Sequence, residues 1–139
     1  MARETYAGSC HCGAVRFEAD IDLSEGSTRC NCSICSKARA WFIIVPTDRA
    51  RLTAGAEHQT EYQWTPPHKP QPFLHFRFCK TCGVRTFGRG GDEGQKGGFY
   101  FINVAALDVD PKELAAAPLR YVDGRHDHYD QTPDDTRLL

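Results

Sequence analysis

Apolar positions in this chain recur with a period of two far more often than with the spacing of a helix. Residues 14–19, Ala-Val-Arg-Phe-Glu-Ala, alternate apolar and polar side chains, which predicts a strand with one buried and one wet face. Residues 40–45, Ala-Trp-Phe-Ile-Ile-Val, form an unbroken apolar run ended by Pro46 and predict a strand buried on both faces. Residues 73–78 put Leu74, Phe76 and Phe78 on one face and His75 and Arg77 on the other, and residues 98–104 read as a further aromatic strand. Helical signals are confined to two places. Residues 33–39 suit a single turn, and Asp110 followed by Pro111 supplies the cap and first position of a short helix over 110–117, stopped by Pro118. The Pro-rich stretch 65–72 and the Gly-rich stretch 89–98 predict loops. The expected fold is mainly β with few short helices.

Composition narrows the class. The 139 residues suit one domain, 1–139, large enough to bury about two thirds of its unfolded surface. Lys and Arg number 17 against 18 Asp and Glu, a formal net charge of -1, so there is no basic stripe to suggest nucleic acid; no apolar run is long enough to suggest a membrane. A hydrophobic fraction of 40% with eight Phe and five Tyr predicts a folded domain and excludes disorder.

The chemistry lies in seven cysteines grouped as Cys10-His-Cys12-Gly13, Cys30-Asn-Cys32-Ser-Ile-Cys35 and Cys79-Lys-Thr-Cys82-Gly83. Residues 1–8 have no apolar stretch of a secretory leader and the cysteine count is odd, so a cytoplasmic location and metal thiolates are expected in preference to disulfides. Structural zinc takes four ligands, whereas catalytic zinc keeps a position open. Seven thiolates divide as four plus three. Cys79-x-x-Cys82-Gly83 has the form of a zinc knuckle, with Gly83 tolerating the left-handed backbone of its turn. Cys10-x-Cys12-Gly13 suits the other half of such a site, leaving Cys30, Cys32 and Cys35. Spacing also allows Cys79 and Cys82 to pair with Cys30 and Cys32, or with Cys32 and Cys35. In each case the half-sites fall at strand ends, where one ion pins distant segments and offsets the entropy of loop closure.

A zinc ion with three thiolates keeps a net negative charge and is a weaker Lewis acid toward water than one held by imidazoles. Such a site favours a soft fourth ligand, such as a small thiol, over hydrolysis. A thiolate presented there could add to an aldehyde or leave its adduct. A helical turn after Cys32 would aim backbone amides at the sulfurs, with Lys37 and Arg39 reinforcing the effect. Among the histidines, His11 is expected to point away from the metal its neighbours share, His75 to lie at the surface or in a cleft, and His58 and His68 to be exposed. His126-x-His128 could close the open zinc or act as a general base beside it.

The order Gly8-Ser-Cys10-His-Cys12-Gly13-Ala-Val-Arg-Phe17, then the Cys30/Cys32/Cys35 cluster, then Phe78-Cys79-x-x-Cys82-Gly83, then Ile102-Asn-Val-x-x-Leu107-Asp108, resembles the glutathione-dependent formaldehyde-activating enzyme family from residue 8 to about residue 108. The resemblance implies a β-tent of small antiparallel sheets stapled by zinc. It also implies a structural zinc on Cys10, Cys12, Cys79 and Cys82 and a second, functional zinc on Cys30, Cys32 and Cys35, the second being the one open to partial occupancy. The activity it implies is that of a carbon–sulfur lyase, of the S-(hydroxymethyl)glutathione synthase type, with glutathione as partner. The second cluster departs from the family pattern: Asn31 stands for the usual His, Ser36 for the usual Arg, and residues 38–40 offer no Gly. β-Tent relatives also include protein-interaction members, so a non-catalytic zinc-stapled binding module is the alternative; only an enzyme requires an open zinc position.

Overall fold

The computed structural model describes residues 3–91 and 97–139. The described residues form ten strands: β1 (Glu4–Ser9), β2 (Arg16–Ile21), β3 (Ser27–Cys30), β4 (Trp41–Pro46), β5 (Ala50–Ala54), β6 (Gln59–Trp64), β7 (Leu74–Cys79), β8 (Phe87–Gly90), β9 (Phe99–Asn103) and β10 (Leu119–Val122). The two short helices are α1 (Ser33–Ala38) and α2 (Pro111–Ala116). Strands β1, β2 and β5 form a three-stranded antiparallel sheet; the rest form a seven-stranded sheet in the order β10-β3-β4-β9-β8-β7-β6. The mainly β class is as expected. The larger sheet is mixed, because β10 runs parallel to β3 while every other neighbouring pair is antiparallel.

Phe17 joins the two sheets. It is 1% exposed, packs on Phe87 of the larger sheet with ring centroids 5.4 Å apart, and lies across Gly8 of the neighbouring strand. A Cβ at Gly8 would fall 2.2 Å from the Phe17 ring, so only glycine allows that close approach. The device repeats inside the larger sheet, where Phe101 covers Gly88 and Phe99 covers Gly90 across β8 and β9. An aromatic ring folded over a cross-strand glycine supplies the apolar contact that the glycine lacks. Ile102, Val104 and Ala19 fill the core between the sheets.

Several sequence expectations change in this setting. The apolar run at β4 alternates in burial, with Ile43 and Val45 inside and Ile44 57% exposed. Its second face borders a cleft, not a packed layer. His75 is not at the surface: β7 is flanked on both sides by β6 and β8, the residue is 7% exposed, and its Nδ1 lies 3.2 Å from Glu61. In the Gly-rich stretch, Arg89 and Gly90 close β8, Gly91, Gly97 and Gly98 are turn or loop residues, and residues 92–96 lie outside the described residues. The helix at Pro111 forms as expected, with the Asp110 carboxylate accepting from the Lys112 amide at 2.8 Å.

Truncation of the ring that couples the sheets is expected to be costly. Phe17→Ala should lower unfolding free energy by about 3–5 kcal/mol, read from the urea midpoint at unchanged slope.

Candidate functional site

Two turns of similar construction bring four sulfurs to one point. The chain leaves β1 at Cys10, whose amide donates to Val15 O at 3.0 Å, and leaves β7 at Cys79, whose amide donates to Val84 O at 3.1 Å. Each turn is closed by a glycine in the left-handed region, Gly13 at φ 81° and Gly83 at φ 77°. The Val15 amide points at Cys10 Sγ from 3.3 Å and the Thr81 amide at Cys79 Sγ from 3.4 Å. Cys12 Sγ lies 3.7 Å from Cys10 Sγ and 3.6 Å from Cys79 Sγ, the latter across 67 residues of sequence. A tetrahedron of sulfurs about 2.3 Å from a central ion has edges of about 3.8 Å. The spacing therefore fits a thiolate-bound metal and is far too long for a disulfide; all seven cysteines are free.

Cys30, Cys32 and Cys35 form a separate group in which the three sulfurs lie within 4.8 Å of one another, as the four of the first group do. Cys30 ends β3, Cys32 caps α1 and Cys35 lies on its first turn. The parallel partner β10 pairs Val122 with Cys30, and the chain then passes directly over the sulfurs. Gly124 is required there, because a Cβ would fall 2.5 Å from Cys30 Sγ. Asn31 ties this crossing down: its Nδ2 donates to Asp123 Oδ1 at 2.8 Å, its Oδ1 accepts from the Arg125 amide at 2.9 Å, and its carbonyl accepts from Ser36 Oγ at 2.8 Å. Arg125 completes the network through Nε to the Asn31 carbonyl and Nη2 to Ser36 Oγ.

The three sulfurs divide their protons unevenly. Hydrogen bonds from the Cys30 and Cys35 thiols, with amides of Cys35 and Ile34, bring the Cys32 thiol down to about 3. Its neighbours Cys30 and Cys35 are pushed up in return, Cys35 furthest. In the first group the amides of Cys12 and Val84 lower Cys82 to about 6. Cys12 is lowered by the Ala14 amide, but the sulfurs around it and burial outweigh that and raise it to about 11. A cation could therefore find a thiolate in each group and release further protons on binding.

Among the described residues, the three-sulfur group borders a large cleft and the four-sulfur group does not. The cleft has a volume of about 1210 Å³, with Cys30, Cys32 and Cys35 in its wall, and none of Cys10, Cys12, Cys79 or Cys82. Both tryptophans, Trp41 and Trp64, line it with Phe42, Phe73, Phe99 and Phe101. Tyr129 borders it near Gly124, its phenol raised first by burial and then by the charge of Cys30 and Cys32. Five arginines and Asp127 also reach the wall. The cleft walls come from segments distant in sequence, so no local pattern announces them.

The histidines fall outside both sulfur groups among the described residues. His126 Nδ1 lies 2.8 Å from Asp123 Oδ2, and His128 Nδ1 lies 4.0 Å from the same atom, so both rings turn toward the carboxylate that Asn31 also holds. His11, His58 and His68 are exposed. Sequence reasoning missed Asp123, Gly124 and Arg125, which touch the second cluster only through the parallel pairing of β10. The crowding at Gly124 is directly testable. Gly124→Ala should displace Cys30 Sγ and cost about one equivalent of metal per chain with little change in melting temperature, measured by elemental mass spectrometry beside a thermal scan.

The profile of the family described as "Glutathione-dependent formaldehyde-activating enzyme" matches residues 5–123. A Halomonas elongata protein, whose name assigns it provisionally to glutathione-dependent formaldehyde activation, is 43% identical over 79 residues, covering 54% of this chain and 50% of that protein. The chain thus spans about half the length of that curated relative. The crystal structure of a Rhodobacter sphaeroides protein superposes with a TM-score of 0.62 at 31% identity, covering 81% of this chain and 98% of that one. This chain belongs to the glutathione-dependent formaldehyde-activating enzyme family.

Proposed function

We propose that this chain is a zinc-dependent carbon–sulfur lyase and synthase that makes and breaks the adduct of a small thiol, such as glutathione, with an aldehyde. On this reading 1–139 is one cytoplasmic domain. Cys10, Cys12, Cys79 and Cys82 hold a structural zinc, and Cys30, Cys32 and Cys35 hold a second zinc with an open position. The observation that supports it most strongly is the asymmetry of the two groups: the three-sulfur group is in the wall of the cleft and the four-sulfur group is not. A complete ligand set needs no access, whereas an incomplete one beside a cleft leaves room for a substrate sulfur.

Zinc bound by the three thiolates would lower the pKa of an incoming thiol and keep its sulfur anionic at neutral pH. The chain's residues supply the remainder. Asn31, Ser36 and Arg125 fix the Asp123–Gly124 crossing over Cys30, so the sulfur trio keeps its spacing. Trp41, Phe42 and Phe101 give the cleft apolar walls that limit water around the reacting carbon. In the forward direction a sulfur–carbon bond forms, the carbonyl π pair moves to oxygen, and the oxygen takes the proton given up by the thiol. The reverse step restores thiol and aldehyde, with no net oxidation. Ser36 stands where the family pattern has Arg, yet the Arg125 guanidinium reaches its Oγ at 3.4 Å, so a cation remains beside this helix from another part of the chain.

Two substitutions separate the clusters. Cys32→Ser should reduce zinc from two to about one per chain, leave the fold intact and abolish the exchange between formaldehyde and glutathione followed by NMR. Retained exchange would remove the trio from the reaction and favour a binding module. Cys79→Ser should instead unfold or aggregate the chain, because structural zinc binding is coupled to folding; an unchanged melting curve would contradict the assignment of the four-sulfur group.

A further inference from the structure

Five guanidinium groups reach the cleft, and four of them have acceptors within the chain. Arg77 Nε pairs with Glu61 at 3.2 Å, Arg39 donates to the Leu138 carbonyl, Arg120 to the Glu25 carbonyl, and Arg125 to Asn31 and Ser36. Arg85 is the exception. Among the described residues no carboxylate, carbonyl or hydroxyl accepts from its guanidinium, which lies 4.5 Å above the Phe76 ring. Phe76 is itself 4% exposed and packs against a tilted Phe101 with ring centroids 5.1 Å apart, so the cation rests on a firm aromatic floor. Burial lowers the Arg85 pKa, and the nearby Cys35 sulfur partly opposes that effect. The only acidic side chain among the described lining residues is Asp127.

Arg85 is half-buried, and a partly desolvated cation with no carboxylate partner among the described residues can take an anion from outside. The neighbouring surfaces specify what bears that anion. Phe42, Phe99 and Phe101 line the cleft with apolar rings suited to an aromatic group and poorly suited to a polar peptide. The volume of about 1210 Å³ exceeds the range of about 300–1,000 Å³ usual for drug-sized ligands and far exceeds what a one-carbon aldehyde needs.

We propose that the carbonyl partner of this site is an aryl aldehyde bearing a carboxylate, with Arg85 pairing with the carboxylate and the phenylalanines of the cleft wall holding the ring while the carbonyl faces the Cys30, Cys32 and Cys35 cluster. The proposal rests on the reading of that cluster as the reaction centre. It makes Arg85 a residue that selects the substrate.

The test is a binding measurement made without thiol, so that no adduct forms and turnover does not enter. Calorimetric titration compares 4-formylbenzoate with its uncharged counterpart 4-formylbenzamide, and quenching of Trp41 and Trp64, the only two tryptophans of the chain, places the probe in the cleft. Wild type should bind the carboxylate about tenfold more tightly, and Arg85→Gln should erase that preference without altering affinity for the amide. Arg85→Met, which keeps packing on Phe76 without charge, should do the same, and Arg85→Lys should keep part of the preference. An unchanged preference in Arg85→Gln overturns the proposal. So does loss of metal from that variant with probe binding intact, which would make Arg85 a counter-charge to Cys35. A loss of affinity for glutathione alone would also overturn it, since the carboxylate recognised would then be that of the thiol. Cys32→Ser should still bind 4-formylbenzoate through Arg85, so failure of the zinc reading and failure of this one give different results.

Discussion

Thiolates crowded together repel one another strongly, and this fold brings seven cysteine sulfurs into two groups whose members lie within 4.8 Å of one another. Cys10 and Cys79 are buried at 3% and 0% exposure, at the ends of strands in different sheets. Sulfurs so placed are stable only when they share protons or a cation. On the proposed reading the cation is zinc, and its binding free energy becomes folding free energy. The small and large sheets are then joined twice, by the ion at their strand ends and by the Phe17 ring packed on Phe87 between them.

The second group follows a different logic. Its three sulfurs come from one short segment and need no distant partner to meet, so the rest of the chain is free to build a cleft over them. β10 supports that cleft from the edge of the larger sheet, and the network of Asn31, Ser36, Asp123 and Arg125 fastens its following turn above Cys30. Asn31 and Ser36 are the positions where the chain departs from its family's usual pattern. Their side chains do not act on the sulfurs directly; they hold the segment that confines them. The third departure has a local cost. Arg39 ends α1 in the left-handed region at φ 53°, where glycine is the usual residue, and its side chain donates to the carbonyl of Leu138 near the C-terminus.

Much of this was legible in the sequence because it is local. The knuckle turns, the glycine at position 83, the strand at 14–19 and the Asp110 cap depend on neighbours a few residues away. The division of the cysteines was only partly legible: spacing admitted several pairings, and the family pattern was needed to choose. What remained hidden depends on long-range pairing. The parallel alignment of β10 with β3 brings Gly124 to Cys30, and nothing within residues 119–129 announces it. Ile44 read as buried because its run is apolar, yet its face borders the cleft. His75 shares a face with Arg77 and is expected at the surface or in a cleft, yet it is buried on an internal strand beside Glu61. The placement of Arg85 over Phe76 depends on the pairing of segments distant in sequence, and no local pattern announces it.

The central claim is that one cluster closes around its ion and the other leaves a position open to the cleft. The most direct measurement is an anomalous difference map at the zinc edge from crystals grown without chelator. The account predicts two peaks, each about 2.3 Å from its sulfurs: one enclosed by Cys10, Cys12, Cys79 and Cys82, the other on Cys30, Cys32 and Cys35 with its remaining coordination facing the cleft. A single peak, or a second ion whose fourth ligand is a side chain of this chain, would contradict it.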